Sequence, residues 1–251
     1  MPFLVMLVQF AVCFLILKWL LKQKTGEPFS KKSLVKFLLL GALGLVLGVG
    51  IMSVLPLDRD TFFGMNPLLS GFVTALITAA LAEEIIKYIM FRLAIRNNAE
   101  VKCWLDVIIA AVVTGIGFTL MEDLEFLVSG DANIARAFIP GHLLFQAIMG
   151  YYYGKARVTK ERRYDVLSLA VPVLAHTVFD MFLIGMLSIL GNEFDPKNIN
   201  EEAVMALPYA NYLLPMLVCA IVVFVITVIA LILVLRKIGV WSKNGEKQEL
   251  L

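Results

Sequence analysis

Charge is what this chain has least of. Only 17% of its 251 residues are Asp, Glu, Lys or Arg, against about 25% in an ordinary soluble domain. With 60% apolar residues and a mean hydropathy of +0.86, a soluble fold of this size could not hide so much apolar surface, so lipid is the solvent for most of it. Cysteine is equally sparse: Cys13, Cys103 and Cys219 lie far apart with no CxxC pair. That excludes a disulfide framework or a thiolate zinc site as the organising feature and leaves buried apolar thiols. A net charge of +2 offers no footing for nucleic acid. No long-period repeat, no extramembrane domain and no HExxH helix is visible. Histidine occurs only twice, at His142 and His176.

What the chain does have is long apolar runs. About 20 such residues cross the hydrocarbon core as a helix, and seven runs qualify, at about 3–21, 35–57, 67–91, 104–128, 137–155, 166–190 and 209–235. The fold class is therefore all-α, a polytopic membrane helix bundle forming a single transmembrane domain over 1–251. The first run has no basic residues before it and no small-residue cleavage site, so it reads as a retained span. Basic residues in short loops stay on the cytoplasmic side. Lys18–Lys36 carries six, Arg92–Lys102 three, Lys155–Arg163 five and the tail from Arg236 four, while the intervening loops hold only Arg59, Arg136 and Lys197. The N-terminus is thus expected outside and the C-terminus inside. The outer loops are acidic, and the longest, Gly191–Pro208, reads as a solvated connection rather than a gate. Glycines in the second, fourth and fifth spans suit close helix packing.

A charge at mid-bilayer costs at least about 2.5–3.5 kcal/mol on insertion scales and usually marks function. The third span reads AEEIIKY over Ala82–Tyr88, the fourth FTLMEDLEF over Phe118–Phe126, the fifth holds His142 and the sixth HTVFD over His176–Asp180. Residues three or four apart share a helix face, so Glu83 and Glu84 both reach Lys87, while Asp180 can orient His176 or share a metal with it. A lysine beside two neighbouring acids keeps one ionised while the acids raise each other's pKa, a way to hold a carboxylate that takes a proton from water. Each member also has a structural reading: a neutralised Glu83–Glu84–Lys87 cluster, a helix-packing His176–Asp180 pair, an interfacial His142. Asp123 and Glu125 are expected to be wetted near the outer end of their span. Four consecutive spans each contributing ionisable groups favour one site between the helices.

EEIIK at Glu83–Lys87, FTLME at Phe118–Glu122, His142 with Gly150 downstream, and HTVFD at His176–Asp180 follow in order over about residues 65–190. This series resembles the PrsW family of bacterial intramembrane proteases, distant kin of the CAAX prenyl endopeptidases and bacteriocin-processing proteases. The CAAX enzymes carry FxxxH where this chain has Glu122, which favours the PrsW branch. The resemblance implies a catalytic core at 65–190, flanking helices and tail at 1–60 and 205–251, and a multi-pass location in the bacterial plasma membrane. It also implies catalytic roles for Glu83, Glu84, Glu122, His142 and His176, with Asp180 supporting His176. The substrate it implies is a membrane-anchored protein, first of all a single-span anti-sigma factor cleaved at site 1.

Two mechanisms remain open on the sequence. In one, Glu122, His142 and His176 hold zinc with a position left for water, and Glu83 or Glu84 is the general base. In the other, a glutamate activates water directly and a histidine stabilises the oxyanion. Lys87 balances charge, with Phe118 in support. The rivals are a proton-coupled transporter using the same groups as a relay and a non-catalytic adaptor of the same family. Depth poses a difficulty: Glu84 lies about 17 residues, roughly 25 Å, from the outer end of its span, Glu122 and His142 only about six. A common site needs tilt, a shifted boundary or a broken helix. Oligomeric state is not readable.

Overall fold

The computed structural model describes residues 2–24, 26–54, 62, 65–129, 141–191 and 201–244. Residues 192–200 of the long outer connection and the outer charges Asp58, Arg59, Asp60, Asp131, Arg136, Glu193, Asp195 and Lys197 lie outside them. The described residues form helices and no strand: α1 (Pro2–Leu21), α2 (Lys31–Met52), α3 (Pro67–Thr74), a π-helical stretch (Ala75–Leu81), α4 (Ala82–Ile95), α5 (Trp104–Ser129), α6 (Gly141–Thr159), α7 (Arg162–Leu190), the short α8 (Glu201–Met205) and α9 (Leu213–Asn244). Each of the seven expected spans corresponds to a helical run. Five of these runs are long and apolar enough to cross a membrane, from α2, the continuous α3–α4 unit, α5, α7 and α9; the apolar part of α1, Met6–Leu21, is shorter.

Local chemistry explains several boundaries. Ser30 Oγ accepts from the Ser33 amide at 3.2 Å and starts α2 earlier than hydropathy alone suggests. Asn66 Oδ1 accepts from the Leu68 amide at 3.1 Å, with Pro67 at the first helical position. Asp106 Oδ2 accepts from the amides of Lys102 (2.9 Å) and Cys103 (3.3 Å), and its other oxygen pairs with Lys24 Nζ at 3.0 Å. That carboxylate, 1% exposed, ties the loop after α1 to the start of α5.

α5 is the hub. Its apolar stretch is 83% buried, against 17–39% for the other four spans, because α2, α6, α1 and α4 all pack on it. Lipid-facing residues such as Leu39, Leu183, Val222 and Ile229 remain exposed on the outer helices, as expected where lipid is the solvent. Close approach is set by glycine where α3 meets α7: a Cβ on Gly71 would lie 2.9 Å from the Gly185 amide nitrogen and 3.0 Å from its Cα. The two backbones touch there, which holds α4 and α7 close enough for their polar side chains to meet.

Candidate active site

The first turn of α4 carries Glu83 and Glu84, with Lys87 one turn on. Glu84 and Lys87 are buried, at 0% and 1% exposure, whereas the Glu83 side chain retains 23%. Lys87 Nζ donates to Glu83 Oε2 at 3.0 Å and to Glu84 Oε1 at 2.8 Å, and stands 2.8 Å from His142 Nδ1. It also sits 4.1 Å from the centre of the Phe118 ring. An ammonium only donates, so His142 Nδ1 accepts and its proton is on Nε2, which lies 2.8 Å from Glu122 Oε2. His176 places Nδ1 3.0 Å from Glu84 Oε1 and Nε2 3.0 Å from Asp180 Oδ2.

The two histidines are thus arranged alike. Each turns Nδ1 toward the glutamate–lysine centre and Nε2 toward a carboxylate behind it. Their rings are 5.3 Å apart; Phe145 stacks on His176 at 5.0 Å and Phe118 meets His142 edge-on at 5.3 Å. Phe145 was not singled out from the sequence, although its place three residues after His142 on the same helix face was a usable signal. All the expected site residues, Glu83, Glu84, Lys87, Phe118, Glu122, His142, His176 and Asp180, lie in one connected network. The depth mismatch counted from the sequence does not keep them apart. Of the three remedies expected, a break in regular α-helical bonding is visible: the third span turns π-helical over Ala75–Leu81, directly before Glu83. Such stretches are frequent at functional sites.

Two expectations shift. Glu122 was expected among the ligands, but the side chains sharing a centre are Glu83, Glu84, His142 and His176, whose ligand atoms all lie within 4.8 Å of one another. Glu122 approaches His142 from the opposite edge of its ring. Asp123, expected to be wetted, is buried at 6% exposure, because α5 is enclosed by its neighbours up to its last turns. Glu125 is exposed.

The four side chains fit a metal ion chemically. Histidine and carboxylate donors suit zinc, and a carboxylate on the far nitrogen is the usual partner of a metal-ligating histidine. Glu84 Oε2 is buried without a hydrogen bond, a spare acceptor in this group. One constraint follows from Lys87: its ammonium already draws on Glu83, Glu84 and His142, so it and a metal ion compete for the same acceptors.

This donor set, on three membrane helices, leads to the comparison with known families. The profile of the PrsW family intramembrane metalloprotease matches residues 30–232. The chain belongs to the PrsW family. The match extends beyond the stretch expected from the motifs, taking in α2 and most of α9. Among curated relatives, Protease PrsW of Oceanobacillus iheyensis is 31% identical over 174 residues, covering 67% of this chain and 77% of that protein. Protease PrsW of Geobacillus kaustophilus is 34% identical over 117 residues, 44% of this chain and 52% of that protein. That of Clostridioides difficile is 30% identical over 162 residues, 60% and 66% respectively. The chain thus spans about half the length of some PrsW relatives it matches and about three quarters of others. No solved structure matches it.

Proposed function

We propose that this chain is a membrane-embedded endopeptidase of the cell membrane that hydrolyses a membrane-anchored protein, with a single-span anti-sigma factor as the first candidate substrate. The observation that carries this reading is the paired arrangement of His142 and His176, each with Nδ1 on the glutamate centre and Nε2 backed by a carboxylate. The alternatives need only ionisable groups in the membrane; they do not account for two histidines oriented alike around a shared set of donors.

In this mechanism Glu84, His142 and His176 would hold a zinc ion, which when bound would supply a Lewis acid to acidify water and polarise the scissile carbonyl. Glu122 and Asp180 fix the ring orientation of the two histidines. Glu83 is the general base, since its side chain is the most exposed of the four donors and can meet water. Water oxygen bonds to the carbonyl carbon while Glu83 Oε2 takes its proton. The same proton passes to the amide nitrogen as the C–N bond breaks, leaving a carboxylic acid and an amine. Lys87 offsets the charge of the two acids, and the Phe118 and Phe145 rings close the centre against lipid.

The test combines cleavage with metal content. Detergent-purified wild type is expected to cleave a single-span substrate and to carry about one zinc per chain by elemental analysis. Glu84→Gln and His176→Ala should lose both. Cleavage by a wild type free of stoichiometric metal would replace zinc with glutamate-activated water. No metal and no cleavage, with proton-coupled uptake that Glu84→Gln abolishes, would make the chain a carrier.

A further inference from the structure

A cavity lined by arginine and tyrosine lies one to two helical turns from the glutamate centre, toward the end of the bundle that the basic loops mark as cytoplasmic. It holds about 530 Å³ between α4, α5 and α6. α4 contributes Tyr88, Arg92 and Arg96, and α6 contributes Tyr153 and Arg157. The Arg92 guanidinium lies 5.4 Å from the Tyr88 ring and 5.9 Å from the Tyr153 ring; that of Arg157 lies 4.7 Å from the same Tyr153 ring. Tyr153 itself is 8% exposed and packs edge-on against Phe91 at 5.3 Å. Cations from two helices therefore converge over one fixed aromatic floor. Lys36 adds a further positive charge beside them, reaching the Arg96 carbonyl at 3.5 Å. Asp165 offsets part of this charge by pairing with Arg157, yet Arg157 Nε stays buried without a hydrogen-bond partner.

The opposite wall is apolar and continuous with lipid. Ile89 and Leu93 line the cavity and are 45% and 41% exposed, one helical turn apart and in line with Ile85 at 36%. A basic, aromatic pocket at the inner boundary above an apolar stripe has the shape and charge of an anionic lipid. Arginine forks match phosphate oxygens in pairs, and basic pockets between membrane helices on the cytoplasmic side take such head groups.

We propose that this cavity binds the phosphate head group of an anionic glycerophospholipid of the inner leaflet, with its acyl chains along the Ile85–Ile89–Leu93 face. Binding here does not depend on the protease reading, and its test does not use cleavage.

The delipidated full-length chain is titrated with phosphatidylglycerol or phosphatidylcholine of matched chains, and bound lipid is counted by native mass spectrometry. Wild type should retain about one phosphatidylglycerol and bind phosphatidylcholine at least tenfold more weakly. The double variant Arg92→Gln/Arg96→Gln should weaken phosphatidylglycerol binding about thirtyfold, each cation near the surface contributing about fivefold. The conservative Arg92→Lys/Arg96→Lys should recover much of it. Lys237→Gln/Lys243→Gln, at the same end of the bundle but on α9, which does not line the cavity, should leave it unchanged. Equal binding of the two lipids by wild type, a comparison that needs no variant, would overturn the proposal. So would an equal loss in the Lys237/Lys243 pair, which means diffuse surface attraction. Full displacement of the lipid by glycerol 3-phosphate at matched concentration would assign the site to a free phosphate ester instead.

Discussion

Replacing Asp180 with asparagine keeps an acceptor near His176 Nε2 but removes the charge that now stands 3.0 Å from it. If His176 ligates metal through Nδ1, the carboxylate behind it raises the basicity of the ring and fixes its tautomer, and losing such a partner typically costs 10- to 100-fold in metal affinity, or about 1.4–2.7 kcal/mol. Burial ranks the two positions. The Asp180 side chain is 25% exposed and Glu122 9% exposed, so solvent screens the first more. Asp180→Asn should therefore fall near the tenfold end and Glu122→Gln, behind His142, near the hundredfold end. The histidines sit on different helices with separate partners, so the double variant should lose about a thousandfold if the two effects add. The assay is zinc affinity by competition with a chromophoric chelator on detergent-purified protein, with cleavage rate measured alongside at saturating metal. A change below twofold in both single variants, or a larger loss from Asp180→Asn than from Glu122→Gln, would refute the reasoning that the Nε2 edges face away from the metal.

Lys87→Met removes the ammonium that competes for Glu83, Glu84 and His142; zinc affinity should rise about tenfold or more by the same titration, while thermal unfolding of the metal-free protein should occur earlier because the buried Glu84 and the half-buried Glu83 lose their counter-charge. Gly71→Ala places a methyl against the Gly185 backbone and should cost about 1–3 kcal/mol, reducing cleavage while circular dichroism keeps its helical signal. Gly50→Ala, with no atom within 4 Å of the added Cβ, should be silent in the same assays. Asp106→Asn should lower stability by about 2 kcal/mol in thermal unfolding, since it weakens a helix cap and leaves the buried Lys24 ammonium without its anion.

The bundle was legible because each span is a long apolar run and the basic residues alternate loop by loop; those signals survive without any tertiary information. Helix ends were less so, since Ser30 and Asn66 set them by single hydrogen bonds that hydropathy averages away. The members of the site were legible for a related reason: Glu83, Glu84, Lys87, Glu122, His142, His176 and Asp180 are conspicuous in apolar segments. Their roles relative to one another were not. Whether Glu122 stands beside the inward nitrogen of His142 or behind the ring depends on the rotation of α5 against α6. Asp123 misled because its burial comes from neighbouring helices rather than from its own sequence position. The arginine cavity escaped notice for the opposite reason, its residues being absorbed into the charge pattern that set orientation.

The π-helical stretch at Ala75–Leu81 has a consequence for how the chain tolerates change. Wider i→i+5 bonding accommodates one residue more than an α-helix would over the same length, and each residue turns an α-helix by 100°. The surplus residue is therefore absorbed locally, and the helix beyond Leu81 keeps nearly the angular setting that a regular α-helix one residue shorter would give it. Deleting a single apolar residue there would return the stretch to regular α-helix and leave Glu84 facing His176, whereas adding one more would exceed the local slack and rotate Glu84 by about 100°. The segment works as local slack in the helix, so a deletion in this featureless run of Ala, Leu, Ile and Thr should be better tolerated than an insertion.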